Sequence, residues 1–114
     1  MGRWDDRLIE RLAVPRAMLP EVRDTQSDFG LADPSHFGAP IPIRGVAGDQ
    51  QAAAYGQACF RPGTFKATLG TGCFVLANTG EEKVASATRM LSTVFHQLQG
   101  KRVYALKGRS SWPA

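Results

Sequence analysis

Residues 45–51 read Gly-Val-Ala-Gly-Asp-Gln-Gln, and residues 68–74 read Thr-Leu-Gly-Thr-Gly-Cys-Phe. The first stretch predicts a strand over 41–47 that passes into a helix over about 50–60, with Asp49 as the helix N-cap. The second predicts two strands within 64–79, joined by a tight turn at Gly70, Thr71 and Gly72. These strand–helix and strand–turn–strand units indicate an α/β chain.

Both stretches carry residue types that suit one chemistry. A carboxylate such as Asp49, held where a strand meets a helix, can take a proton from a substrate hydroxyl. A glycine-rich turn can bring backbone N–H groups close to phosphate oxygens. Together the two motifs indicate phosphoryl transfer to an alcohol. Each also has a purely structural explanation, since Asp is a good helix N-cap and a lone Gly-Thr-Gly is often only a turn.

The bulk composition describes one globular unit at most. The 114 residues are 43% hydrophobic and 21% charged, with a formal net charge of +4. The basic residues are scattered and form no nucleic-acid motif, so no nucleic-acid partner is expected. No apolar run is long enough to span a membrane, and the N-terminus has no apolar signal core, which predicts a cytoplasmic protein. Cys59 and Cys73 lack metal-ligand spacing and are expected to be reduced thiols, so no metal site is predicted.

The rest of the chain contains shorter elements. The pattern predicts a short helix over 4–13, then a surface connection over 20–40 with a short strand near 21–22. Within that connection Asp33 and Pro34 predict the start of a helical turn. A strand pair is expected over 91–98 and 102–106, joined by a hairpin turn at Gln99 and Gly100.

The two motifs, at this separation, closely resemble those of the FGGY carbohydrate kinases, and among them the glycerol kinases. Further stretches fit the same family: Val14-Pro15-Arg16-Ala17-Met18-Leu19-Pro20-Glu21-Val22, Gly56-Gln57-Ala58-Cys59-Phe60, Asn78-Thr79-Gly80 and Tyr104-Ala105-Leu106. The resemblance runs from about Trp4 to Leu106. Because the family enzymes are several times longer, it implies that the chain is an internal fragment of one.

The resemblance also implies an architecture and a set of roles. The family has two actin-like (ribonuclease H-like) ATPase domains. Residues 1–58 would end the first domain and residues 59–106 would begin the second, so that the chain straddles their junction. Asp49 would be the catalytic base and a glycerol ligand, Gln50 a second glycerol ligand, and Thr71 with Gly70 and Gly72 the contacts to the ATP or ADP phosphates. The intact enzyme would use ATP with Mg²⁺ to convert glycerol to glycerol 3-phosphate.

Several parts of the family enzyme have no counterpart in this sequence, including its N-terminal phosphate loop and its adenosine site. The isolated chain is therefore expected to be inactive and to bind no cofactor tightly. An alternative left open is a non-catalytic interaction fragment that associates with kinase subunits or with a separately encoded remainder.

The C-terminal residues depart from the family in an informative way. The family continues Tyr-Ala-Leu-Glu-Gly-Ser-Ile-Phe-Val-Ala-Gly, whereas this chain continues Tyr-Ala-Leu-Lys-Gly-Arg-Ser-Ser-Trp-Pro-Ala. Deleting one G at the Leu–Glu junction of a plausible coding sequence yields the second run from the first. Residues 107–114 are therefore interpreted as a frameshifted tail, the alternative being a natural, divergent surface tail. The frameshifted tail is expected to be disordered because no packing was selected for it.

Overall fold

The secondary structure comprises three α-helices, one 3₁₀ helix and four strands in the part of the chain described by a computed structural model, residues 2–70 and 72–111. No helix in that part is long and apolar enough to cross a membrane. In chain order the elements are α1 (Asp6–Arg11), the 3₁₀ helix (Arg16–Met18), α2 (Pro34–Phe37), α3 (Asp49–Gly56), β1 (Phe65–Leu69), β2 (Gly72–Gly80), β3 (Leu91–Leu98) and β4 (Lys101–Ser111).

The four strands form one antiparallel sheet in the order β1-β2-β4-β3. Consecutive strands β1 and β2 pair as a hairpin across residues 70–72, and β3 and β4 pair across Gln99 and Gly100. Both predicted strand pairs are thus confirmed. The two hairpins join into one sheet because β2 and β4 pair at its centre, a long-range contact that no local pattern predicts.

Strand β4 is longer than expected and includes part of the tail. Lys107 pairs with Leu76 and Arg109 with Phe74, and the pairing continues to Ser111. The prediction of a disordered tail is therefore wrong for residues 107–111, and residues 112–114 lie outside the described part. The physical reason is that backbone ladders depend little on side-chain identity, and β2 offers a long row of backbone donors and acceptors.

Both helices predicted in the N-terminal half are present, although the first covers Asp6–Arg11 and is shorter than the predicted 4–13. Asp5 caps α1 by accepting a hydrogen bond from the N–H of Arg7 at 2.9 Å. Asp33 caps α2 by accepting one from the N–H of Ser35 at 2.8 Å, with Pro34 as the first helical residue. The short strand expected near 21–22 is absent, so that prediction is wrong.

The segment 41–47 is not a strand of the sheet, and this prediction is also wrong. It runs beside residues 25–32 instead, where the isolated bridges Gln26–Gly45 and Leu31–Pro42 form an irregular ribbon. Pro42 has no N–H to donate, which interrupts a regular ladder. The segment still leads directly into α3, and so it delivers Asp49 to the position that the motif implied.

Helix α3 is shorter than predicted and begins one residue earlier. Its N-cap is Gly48, and Asp49 is the first helical residue rather than the cap. The helix rests on the sheet through Gln51, whose Nε2 donates to the backbone oxygen of Val94 at 3.2 Å. The core around this contact is small and consists of Ala54, Cys59, Leu76, Phe95 and Ala105.

Candidate functional site

Asp49 is held at the start of α3 with its carboxylate open to solvent. Its Oδ1 accepts a hydrogen bond from the backbone N–H of Gln50 at 2.7 Å, which fixes the side chain against its own helix. A carboxylate in the first turn is also favoured by the positive end of the helix dipole. The carboxylate is thus both anchored and accessible to a ligand that enters from solvent.

Gln50 links Asp49 to the sheet. Its side-chain Nε2 lies 3.4 Å from Oδ2 of Asp49, a long contact, and its Oε1 accepts a hydrogen bond from the ammonium group of Lys66. Lys66 donates a second bond to the hydroxyl of Thr68 at 2.7 Å. A continuous polar chain therefore runs from β1 to the start of α3.

The sequence did not indicate this role for Lys66. The alternation in β1 suggests that its apolar residues form the inner face, yet Phe65 and Leu69 are 64% and 73% exposed while Lys66 is 1% exposed. Residues at every second position share one face of a strand, so burying Lys66 turns Phe65 and Leu69 outward. In the sequence, a lysine that alternates with apolar residues is expected to face solvent, so its burial could not be predicted.

A groove of about 620 Å³ lies beside the Asp49–Gln50 pair. Its floor is formed by β2 and β4, with Phe74, Val75, Leu76 and Gly108 among the lining residues. Asp49 is its only carboxylate among the described residues, whereas its cationic lining residues are Arg89, Lys107 and Arg109. Such a surface suits a ligand that carries both hydroxyl groups and negative charge.

The basic side chains of the groove were not among the predicted site residues. Arg109 is held over the ring of Phe74, with its guanidinium carbon 5.4 Å from the ring centroid. It lies in the part of β4 that was interpreted as a frameshifted tail. Its position results from the pairing of β4 with β2, which the sequence did not predict.

Gly70 and Gly72 lie where β1 turns into β2, as expected. The N–H of Gly70 donates to the backbone oxygen of Gly72 at 2.9 Å, and Thr71 lies outside the described residues. Gly70 does not line the groove that Asp49 and Gln50 share. The structure therefore brings Asp49 and Gln50 together but does not join them with Gly70 in one cavity.

No group of three or more His, Cys, Asp or Glu side chains in the described residues has a geometry that could hold a metal ion. Cys59 is buried and Cys73 half-buried, and both are free thiols. Neither cysteine therefore contributes to a ligand set.

The sequence of this chain is similar to those of known glycerol kinases. A glycerol kinase of Methylobacterium nodulans is 63% identical over 107 residues, which are 94% of this chain but 21% of that protein. A glycerol kinase of Xanthobacter autotrophicus is 62% identical over 107 residues and is covered to 22%. The chain matches an internal segment of glycerol kinase. It spans about a fifth of the length of these relatives.

The solved structures give the same result for the fold. The crystal structure of Plasmodium falciparum glycerol kinase with ADP matches 96% of this chain with a TM-score of 0.86 and 38% identity, over 22% of its own length. The chain is thus part of an actin-like ATPase fold with mixed helices and antiparallel sheet, which confirms the predicted glycerol kinase resemblance and fold class. No family model matches the chain.

Proposed function

We propose that this segment supplies the catalytic base and a glycerol ligand for ATP-dependent phosphorylation of glycerol in a longer glycerol kinase. The observation that carries the proposal is the Asp49–Gln50 pair at the start of α3, anchored by hydrogen bonds and open to a groove. The similarity to glycerol kinases over 94% of the chain supports the choice of substrate.

In this proposal Asp49 accepts the proton of a terminal glycerol hydroxyl while that oxygen attacks the γ-phosphate of ATP. Gln50 hydrogen-bonds glycerol and holds it beside the carboxylate. The turn at Gly70, Thr71 and Gly72 contacts the nucleotide phosphates through backbone N–H groups and the Thr71 hydroxyl. Mg²⁺ would neutralise phosphate charge, and the described residues of this segment contain no group of three or more side chains that could hold it by themselves.

The isolated chain is expected to show no glycerol-dependent turnover. Phosphoryl transfer needs several groups positioned at once, and the chain covers about a fifth of its relatives. A coupled assay of ADP release with purified chain tests this expectation. Turnover that requires glycerol and disappears in Asp49→Asn would show that the segment suffices by itself.

The catalytic roles are tested in a hybrid enzyme. In this hybrid, the matched part of this chain replaces the corresponding 107 residues of the Methylobacterium nodulans glycerol kinase. We expect the hybrid to phosphorylate glycerol and Asp49→Asn to lower kcat by about a hundredfold or more. The matched control is Asp33→Asn, which changes another exposed carboxylate at a helix start but leaves a residue that caps well. Full activity of the Asp49→Asn hybrid would contradict the proposal.

A second candidate function, association with kinase subunits, is favoured by the exposed apolar side chains of the sheet. On the edge strands β1 and β3, Phe65, Leu69 and Leu91 are each more than 60% exposed. Edge strands with apolar side chains commonly pair with other chains. Co-purification of tagged chain with the Methylobacterium nodulans enzyme, lost in Leu69→Lys, would support this function. A monomeric chain that retains no kinase would count against it.

A further inference from the structure

Lys66 is the most deeply buried charged residue of the described chain, with 1% of its surface exposed. Removing an ammonium group from water is costly unless hydrogen bonds replace its hydration. Its neighbours on β1 are exposed on both sides, so the burial results from packing against the start of α3 and not from a generally enclosed strand.

The bonds of Lys66 go to neutral acceptors. Its ammonium donates to Oε1 of Gln50 and to the hydroxyl of Thr68, and none of the ion pairs in the described residues involves it. A lysine that only balanced a buried charge would be expected beside a carboxylate. Here the charge is directed instead to the amide of one residue of the candidate site.

This contact determines which way the amide of Gln50 faces. An ammonium group only donates hydrogen bonds, whereas an amide has one accepting end and one donating end. With its oxygen on Lys66, Gln50 must turn its NH₂ group toward Asp49, where the 3.4 Å contact is found. The opposite orientation would place two donors face to face.

We propose that Lys66 is a positioning residue, which fixes the amide of Gln50 so that its NH₂ group is presented beside Asp49 and toward the substrate. The proposal rests on the proposed roles of Asp49 and Gln50. Lys66 itself does not touch substrate, since it does not line the groove. The ammonium group, through its bond to Oε1 of Gln50, sets the orientation of the amide.

The contact is tested by NMR on the full chain labelled with ¹⁵N. The side-chain NH₂ signals of Gln50, assigned by their loss in Gln50→Glu, should differ from those of the exposed Gln57 in the native chain. Lys66→Met keeps the length of the side chain but removes the donor, and it should move these signals to the position of an exposed glutamine. The control Lys101→Met, which changes an exposed lysine, should leave them in place.

Three results would overturn the contact. The first is that the Gln50 amide of the native chain already has the signals of an exposed glutamine, and the second is that Lys66→Met does not move these signals. The third is the absence of a nuclear Overhauser contact between the Lys66 Hε and Gln50 Hγ protons of the native chain. This measurement needs no variant and so does not depend on how Lys66→Met folds.

The consequence for catalysis is tested in the hybrid enzyme. Lys66→Met should lower kcat/KM for glycerol by about tenfold, the effect of losing one well-placed hydrogen bond, while KM for ATP stays unchanged. Lys66→Arg, which still donates, should recover part of the loss. Unchanged glycerol kinetics in Lys66→Met would overturn the positioning role. A hybrid that is inactive with Lys66 intact would instead count against the proposed function, and the NMR contact would still be decided on its own.

Discussion

Glycine at position 70 is not required by the fold but would be required by the proposed phosphate contact. Its backbone lies outside the left-handed region, and a Cβ added there would meet no heavy atom within 4 Å. Nothing in the described residues therefore requires glycine at this position. The proposed approach of a phosphate to the backbone of the turn does give such a requirement.

We therefore expect Gly70→Ala to stabilise the chain slightly, by about 0.4–1 kcal/mol, because alanine reduces the entropy of the unfolded state. In the hybrid enzyme the same change should raise KM for ATP. Urea unfolding and steady-state kinetics measure the two effects. The control Gly38→Ala should be destabilising, since Gly38 ends α2 with a φ of 73°. Unchanged ATP kinetics in Gly70→Ala would remove the support for a phosphate contact.

His96 predicts a pH dependence of stability. Burial lowers the pKa of its imidazole from the ordinary value of 6.5, and its buried Nδ1 has no hydrogen-bond partner among the described residues. The unfolded chain therefore binds a proton more readily than the folded chain. The contribution of His96 to stability is fully present above about pH 6.5 and is lost as the pH falls through the lower, folded pKa.

The measurement compares urea midpoints at pH 7.5 and pH 5.5 for the native chain and for His96→Phe. Phenylalanine keeps a ring against Tyr55, whose centroid lies 6.0 Å from that of His96, but cannot bind a proton. We expect the native chain to lose more stability than the variant over this interval. Equal losses would show that His96 does not titrate differently on folding.

At this scale the sequence was informative where chemistry and local structure coincide. The family resemblance singled out Asp49 and Gln50, and the structure places the two side chains together at the start of α3, while their roles stay predictions. Lys66 could not be predicted, because its burial depends on the packing of β1 against α3, about 16 residues apart in sequence. Arg109 could not either, because it reaches the groove only through the long-range pairing of β2 with β4.

At the scale of elements, the turn between β3 and β4 carries a strained residue. Gln99 and Gly100 both have positive φ, 50° and 75°, a geometry that suits Asn-Gly better than Gln-Gly. The turn is also tied to the N-terminal segment, since the N–H of Gly100 donates to Asp24 at 2.9 Å. This bond, with a second from Gln97, holds the pKa of the Asp24 carboxyl below its usual value.

We expect Gln99→Asn to stabilise the chain by up to about 1 kcal/mol, because asparagine tolerates the left-handed region better than other non-glycine residues. Urea unfolding measures the change. Gly100→Ala is the matched comparison: a Cβ there would meet no atom within 4 Å, so only its φ of 75° penalises alanine, and the variant should be less stable. A destabilising effect of Gln99→Asn would contradict this account of the turn.

Hairpins and capped helices were predictable because their signals are local. The two strand pairs and the Asp33–Pro34 helix start depend on residues within a few positions of one another. The segment 41–47 was mispredicted because its apolar residues indicate a strand but not its partner, and it pairs with 25–32 outside the sheet. The proposed domain boundary between residues 58 and 59 stays a prediction. Two hydrogen bonds cross it, from Lys66 to Gln50 and from Gln51 to the backbone of Val94.

At the scale of the whole molecule, the chain is looser than a self-sufficient domain. Its radius of gyration is 16.9 Å, whereas a compact domain of this length has about 13 Å. Its accessible surface is 9023 Å², against about 6,100 Å² for a compact monomer of its mass. The excess surface includes large apolar side chains that a longer kinase chain would be expected to cover.

The last prediction follows from this small core. Ordering each residue costs roughly 1–2 kcal/mol of backbone entropy. In the described part of the chain, the buried apolar residues that offset it number five, and two of them are alanines. We therefore expect the purified chain to unfold in urea over a broad range, with a free energy of unfolding below about 5 kcal/mol. Amide exchange should be slowest in β2 and β4, which pair with each other at the centre of the sheet. In the hybrid enzyme the same strands should exchange more slowly, because neighbouring parts of the kinase would cover their apolar surfaces. A sharp, cooperative transition of the isolated chain, with exchange as slow as in the hybrid, would mean that the segment is a domain in its own right.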